Sequence, residues 1–272
     1  QLAQSEEELN KTKNTQLAVL TESLAIVKVL KENNIKADMS AGLSLGEYTA
    51  LIEDEVISFE DGVRLVKKRG EIMQEFTPKG NWKMAAILGI DDEKVIEACK
   101  KVKNGFVSAA NFNTIGQVVI SGDEKAVEQA SIFAKEFGAK KVSVLKTEGP
   151  FHTEKLQECS NMLRKELEKI KINHKNSHVV KNVNGEIYDN DDNLVDILSN
   201  HIISPVKFSN CLTTMYENGI DTFIEIGPSR TLSGFVKRMK FEKQIRIFSI
   251  NDCKSLEDVI NTIRIIKSNL TI

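Results

Sequence analysis

Eight residues, Ala41-Gly42-Leu43-Ser44-Leu45-Gly46-Glu47-Tyr48, set a serine in a Gly-x-Ser-x-Gly frame between an apolar segment and one of helical pattern. Flanking glycines let a backbone turn sharply from strand into helix and leave the serine at the helix N-terminus, where N–H groups favour developing negative charge. The chemistry such an elbow performs is acyl transfer through serine. The same frame also suits a turn serine that simply caps the helix after it.

An activated serine needs a base, and histidine is the usual one because it titrates near neutral pH. His174 and His178 lie in a charged stretch that reads as solvated surface, and His201 ends a helix-like segment near Pro205. His152 follows Gly149-Pro150-Phe151, at a junction where two parts of the chain would meet over a cleft. Arg69 closes the run Lys67-Lys68-Arg69, which reads first as a solvated helix face. Turned inward, its guanidinium would fork a substrate carboxylate and imply a dicarboxylic acyl group.

The elements that must position these groups follow from periodicity. Apolar residues at Leu17, Leu20, Leu24, Val27 and Leu30 predict a helix over 15–31; a strand over 35–41 leads into the elbow, and a helix follows from Glu47. Residues 58–76 predict a further helix, with Ser58 as its cap and Glu60 and Asp61 in its first turn. Between about 80 and 147 the rhythm becomes β-α-β-β-α-β, the signature of a ferredoxin-like subdomain. Strand and helix alternation then resumes, with strands over 179–183, 222–226 and 245–250. The expected division is a large domain of residues 1–79 and 148–272, with residues 80–147 inserted as the small one.

Composition narrows the class. With 272 residues, 41% hydrophobic, the chain can bury a substantial core. Lys+Arg 37 against Asp+Glu 39 gives a net charge of −2, which argues against nucleic acid as a partner. Cys99, Cys159, Cys211 and Cys253 form no C-x-x-C pair and suit free thiols in a reducing compartment, so a cytoplasmic protein without metal is expected. No apolar run is long enough to span a bilayer, and no membrane association is expected.

Taken together, these motifs resemble bacterial malonyl-CoA:acyl carrier protein transacylases and the related acyltransferase domains of fatty-acid and polyketide synthases. The resemblance covers nearly the whole chain. It rests on Glu7-Glu8-Leu9-Asn10-Lys11-Thr12 with Thr15-Gln16, on the elbow, on Arg69-Gly70 with Met73-Gln74, and on Met84-Ala85-Ala86. Further on it rests on Asn111-Phe112-Asn113, Gln117-Val118-Val119-Ile120-Ser121-Gly122, Gly149-Pro150-Phe151-His152 and Glu225-Ile226-Gly227-Pro228.

The resemblance implies an α/β-hydrolase-like core with a mainly parallel sheet and the inserted ferredoxin-like subdomain. It implies Ser44 as nucleophile and His152 as its base, in a dyad whose imidazole is oriented by the backbone carbonyl of His201. The N–H of Leu45 would serve the oxyanion, Arg69 would grip the malonyl carboxylate, and Gln16 and Met73 would line the pocket. The bulk of Phe151 would disfavour an α-methyl branch. The implied partners are malonyl-CoA and acyl carrier protein, as substrates of a ping-pong reaction in fatty-acid synthesis, with no cofactor and a monomeric enzyme.

Two departures stand out. The family's usual first strand and Gly-Gln-Gly-x-Gln loop are absent from this sequence, so the chain is expected to be a fragment lacking one oxyanion donor, a loss that typically costs about 10²–10³ in rate. Leu43 stands where many members carry histidine. The rival readings are another serine acyl enzyme, such as a thioesterase-like hydrolase, and a silent protein that binds acyl carrier protein or CoA. The basic stretch Lys237-Arg238-Met239-Lys240 could dock an acidic carrier protein, or simply complement a helix dipole.

Overall fold

The computed structural model describes residues 6–146, 149–173 and 177–270, and these form a mixed α/β fold. The chain opens with α1 (Glu6–Leu9), α2 (Thr12–Glu32), α3 (Leu45–Glu53) and α4 (Phe59–Phe76). Next come β1 (Trp82–Leu88), α5 (Asp92–Lys101), β2 (Val107–Thr114), β3 (Gln117–Asp123), α6 (Glu124–Glu136) and β4 (Lys141–Leu145). A short 3₁₀ turn leads into α7 (Gln157–Leu167), followed by α8 (Leu194–His201), α9 (Phe208–Glu217), β5 (Thr222–Ile226), α10 (Thr231–Arg238), β6 (Arg246–Ile250) and α11 (Cys253–Leu270).

Strands β1 to β4 form one sheet in the order β2-β3-β1-β4, and every neighbouring pair is antiparallel. Side chains alternate across a strand, so Ala85 and Ile87 of β1 face a core shared with Val95 of α5 and Val127 and Ala130 of α6. Met84 and Ala86 face the other way, into a small cluster with Ala110, Val119 and Phe151. A separate core of Leu20, Tyr48, Leu51, Leu65, Leu163 and Leu198 joins α2, α3, α4, α7 and α8.

The expected mainly parallel central sheet is not what the described residues form. The largest sheet is antiparallel, and parallel pairing is confined to β5 with β6 and to isolated bridges at Ser40–Val179 and Asn111–Val206. The segments predicted as strands over 35–41 and 179–183 meet at a single rung, where Ser40 N–H donates to His178 and Val180 N–H to Ser40. Two residues on, the Gly42 carbonyl accepts from the Asn182 side chain rather than from a backbone N–H, and Lys181 N–H turns back to Glu186. A ladder needs consecutive backbone rungs, and here the elbow ends it.

Helix α4 is placed by features its sequence advertises. Ser58 Oγ accepts from Asp61 N–H at 3.1 Å and caps α4. The basic run on α4 divides: Lys67 and Lys68 are exposed, whereas Arg69 lies on the stripe with Leu65, Val66 and Met73 and is 2% exposed. At Gly70 a Cβ would come within 2.8 Å of Lys13 Cα, so its absence lets α4 close on α2 and brings Arg69 up to Gln16.

Candidate active site

Ser44 sits between the Ser40 rung and α3 with φ 52° and ψ −96°, a left-handed backbone that costs a non-glycine residue energy and persists where its surroundings hold it. The surroundings here are explicit. Asn182 Oδ1 accepts from Ser44 N–H at 2.7 Å while its Nδ2 donates to the Gly42 carbonyl at 2.7 Å. A Cβ on Gly42 would fall 2.0 Å from the Gly46 carbonyl carbon, so the first glycine of the frame is what lets the turn close.

Ser44 Oγ lies 2.8 Å from His152 Nε2. On the far side of the ring, Nδ1 faces the carbonyls of His201 at 3.1 Å and Ser204 at 3.2 Å. Carbonyls only accept, so Nδ1 carries the proton and Nε2 is left to accept one from Ser44. His201 ends α8, and its carbonyl, which also accepts from Ser204 N–H at 3.2 Å, has no i+4 partner within the helix and turns its remaining lone pair to this contact. Burial, first, then the electrostatic influence of His201 and of the Arg69 guanidinium hold the His152 pKa well below its usual value, against the opposing pull of the two carbonyls. A ring that is neutral at pH 7 and hydrogen-bonded to a hydroxyl is a general base in waiting.

Arg69 Nη2 donates to Ser44 Oγ at 3.0 Å, and Nη1 donates to Gln16 Oε1. Gln16 in turn reaches Met73 Sδ through Nε2, and the guanidinium lies 5.3 Å over the Tyr48 ring. Buried Arg69 Nε has no hydrogen-bond partner among the described residues. The Tyr48 hydroxyl is pushed up to about 12, chiefly by burial. Phe151 is half-buried beside His152 and packs on both the helical core and the Met84 cluster. Leu45 begins α3, and its N–H is one of the donors a helix start leaves open.

The acyl transferase domain family matches residues 1–249 of the chain. Over 260 residues the sequence is 40% identical to the malonyl CoA-acyl carrier protein transacylase of Bacillus subtilis, covering 95% of this chain and 81% of that protein. The chain belongs to the acyl transferase family. The solved structure of the malonyl CoA-acyl carrier protein transacylase of Clostridium perfringens matches with a TM-score of 0.93 at 44% identity, over 98% of this chain and 84% of that one. A solved type II PKS acyl carrier protein in complex with its malonyl-transacylase matches with a TM-score of 0.88 at 37% identity, over 95% of this chain and 84% of that one.

In this acyl transferase the structure brings Ser44, His152, Arg69, Gln16, Met73 and the His201 carbonyl into one cluster. His178 stands apart, exposed, and His174 lies outside the described residues. Sequence reasoning missed Asn182, Ser204 and Glu47. Asn182 is 138 residues from the backbone it pins, so no local spacing marks it; Glu47, in the elbow itself, reads as an ordinary first-turn acid until its burial is seen. Among the described residues no group of three His, Cys, Asp or Glu side chains is arranged to hold a metal ion.

Proposed function

We propose that this acyl transferase moves a malonyl group from malonyl-CoA to the phosphopantetheine thiol of an acyl carrier protein, through an ester on Ser44, and so supplies fatty-acid elongation. The observation that carries the reading is the buried Arg69 guanidinium beside the nucleophile, with its Nε unpartnered and its Nη2 on Ser44 Oγ. Nε and Nη2 share one edge of the guanidinium, so together they offer a side-on fork to a carboxylate carried by an acyl group on Ser44. The relatives' names as malonyl transacylases and the carrier protein seen with one of them support the same substrates.

The steps follow from the geometry. Ser44 Oγ passes its proton to His152 Nε2 and attacks the thioester carbonyl, whose oxygen turns toward the Leu45 N–H. CoA leaves as the thiol, taking the proton from His152. The carrier thiol then gives its proton to His152 and attacks the malonyl ester, and Ser44 Oγ leaves by taking that proton back from His152 Nε2, which restores the resting pair. Arg69 holds the carboxylate throughout, fixing the acyl group for the thiol rather than for water. The half-buried Phe151 ring beside His152 supports malonyl over an α-methyl branched group. No cofactor enters this sequence.

We also read residues 80–147 as a ferredoxin-like subdomain inserted in an α/β-hydrolase-like domain of residues 1–79 and 148–272. Support comes from the β2-β3-β1-β4 order and from a core drawn wholly from residues 85–142. Incubation with radiolabelled malonyl-CoA, acid quench and peptide mapping test the function, with Ser44→Ala as control. Label on Ser44 is expected; none on the wild-type chain overturns the reading. Arg69→Ala is expected to lose malonyl transfer, and transfer at the wild-type rate would refute the assignment of the clamp.

A further inference from the structure

Glu47 is fully buried, and the steps above do not use it. Its Oε1 accepts from the Tyr188 hydroxyl at 2.7 Å and from Asn182 N–H at 3.2 Å. Its Oε2 lies 3.0 Å from His201 Nδ1, and His201 is itself 1% exposed. Two of these three neighbours, Asn182 and His201, each lead to one half of the Ser44–His152 pair. Asn182 holds Ser44 N–H and the Gly42 carbonyl, while the His201 carbonyl accepts from His152 Nδ1. The His201 and His152 rings stand 5.1 Å apart.

We propose that Glu47 is a positioning residue for the malonyl transfer, setting the nucleophile through Asn182 and the base through His201 with the two oxygens of one side chain. The proposal rests on the function argued above and adds to it a residue that never touches substrate. The chemical requirement is an acceptor at Oε1, because Asn182 N–H can only donate. Oε2 faces His201 Nδ1, on the residue whose backbone carbonyl fixes the catalytic tautomer. An amide meets both demands only by turning its NH₂ to His201 Nδ1, which must then accept and leave the ring proton on Nε2, a buried atom with no hydrogen-bond partner among the described residues. In Glu47→Gln an NH₂ group must confront either the Tyr188–Asn182 pair or His201. The strain would reach Ser44 and His152 as small displacements, and a misplacement of about 1 Å in a reacting group can cost about 10²-fold in rate. A solely structural acid would act on stability, and on substrate affinity as much as on rate.

The test is a double-mutant cycle on the full chain: wild type, E47Q, H201F and E47Q/H201F, each supplied with malonyl-CoA and followed by single-turnover labelling of Ser44. His201→Phe keeps the ring and the backbone carbonyl and removes the nitrogen that faces Glu47. The expected result is an acylation rate constant for E47Q lowered about tenfold or more, with half-saturation by malonyl-CoA and the thermal midpoint near the wild-type values. In the H201F background, E47Q should cost distinctly less than it does alone. A wild-type rate for E47Q overturns the proposal, as does an equal loss in both backgrounds or a loss carried by half-saturation. If E47Q does not fold, Glu47 is a folding group and the proposal also fails. An unlabelled wild-type chain would overturn the function instead, so the two failures are distinguishable.

Discussion

At the residue scale the site is a matter of who may donate and who may accept. His152 is neutral at pH 7 because it is buried and stands near the Arg69 guanidinium, and two carbonyls assign its proton to Nδ1. Its depressed pKa predicts two pH effects of known sign. The single-turnover acylation rate should hold steady as pH falls through about 6.5, the unperturbed histidine value, and decline only further into acid. An acid limb centred at or above that value would contradict the assignment. Stability should fall over the same window, because below about 6.5 the unfolded chain binds a proton that the folded chain refuses. The two elbow glycines are expected to differ sharply. A Cβ on Gly42 would strike Gly46 backbone at 2.0 Å, whereas a Cβ on Gly46 meets nothing within 4 Å. Gly42→Ala should therefore abolish Ser44 labelling and lose about 1–3 kcal/mol or more in denaturant unfolding, while Gly46→Ala should unfold like the wild type. Equal unfolding midpoints for the two variants would show that the turn relaxes.

At the scale of elements, α4 is a carrier for Arg69, and its approach to α2 decides whether the guanidinium meets Gln16. Another helix is set by a different carboxyl. Glu225, at the end of β5, accepts from Leu232 N–H at 2.9 Å and Ser233 N–H at 2.7 Å, which serves the open donors of the first turn of α10. That contact gives the Glu225-Ile226-Gly227-Pro228 motif a physical purpose. It also fixes a helix whose far end carries exposed Lys237 and Arg238, with exposed Lys240 just beyond and Arg238 bonded to Gln117. Acidic carrier proteins would find three cations there. Charge reversal at Lys237 and Lys240 should raise KM for the carrier protein several-fold and leave acylation by malonyl-CoA unchanged, with the effect shrinking as salt screens it. If carrier KM does not move, these lysines only complement the helix dipole.

At the scale of the molecule, the segment from His201 to Lys207 joins the antiparallel sheet to the Ser44–His152 pair. Its carbonyls at 201 and 204 hold His152, Val206 N–H donates to Ala110, Phe112 N–H donates back to Val206, and Lys207 N–H donates to Asn182. The antiparallel sheet is thus tied by backbone to the residues that hold both reacting groups. Amide hydrogen exchange at Phe112 and Val206 should be slow and closely matched, since one separation exposes both. Exchange rates differing by orders of magnitude would mean that the two segments of this contact open independently.

Much of this was legible in the chain itself, for reasons that are local. The elbow, the capped helix bearing Arg69 and the β-α-β-β-α-β order depend on turn chemistry and periodicity over a few residues, and the structure has the elements there. The predicted strands over 35–41 and 179–183 failed because a strand is defined by its partner, and here the rungs stop after Ser40 and Val179. Asn182 and Glu47 went unread for a related reason: their meaning lies in contacts across more than a hundred residues of sequence. Sequence alone determined which residues were available for acyl chemistry, because nucleophile, base and guanidinium are properties of side chains. Only the tertiary structure decided that Arg69 faces inward, that His152 carries its proton on Nδ1 and that Asn182 and Glu47 border the pair, because burial and hydrogen-bond direction exist only once distant segments are packed together.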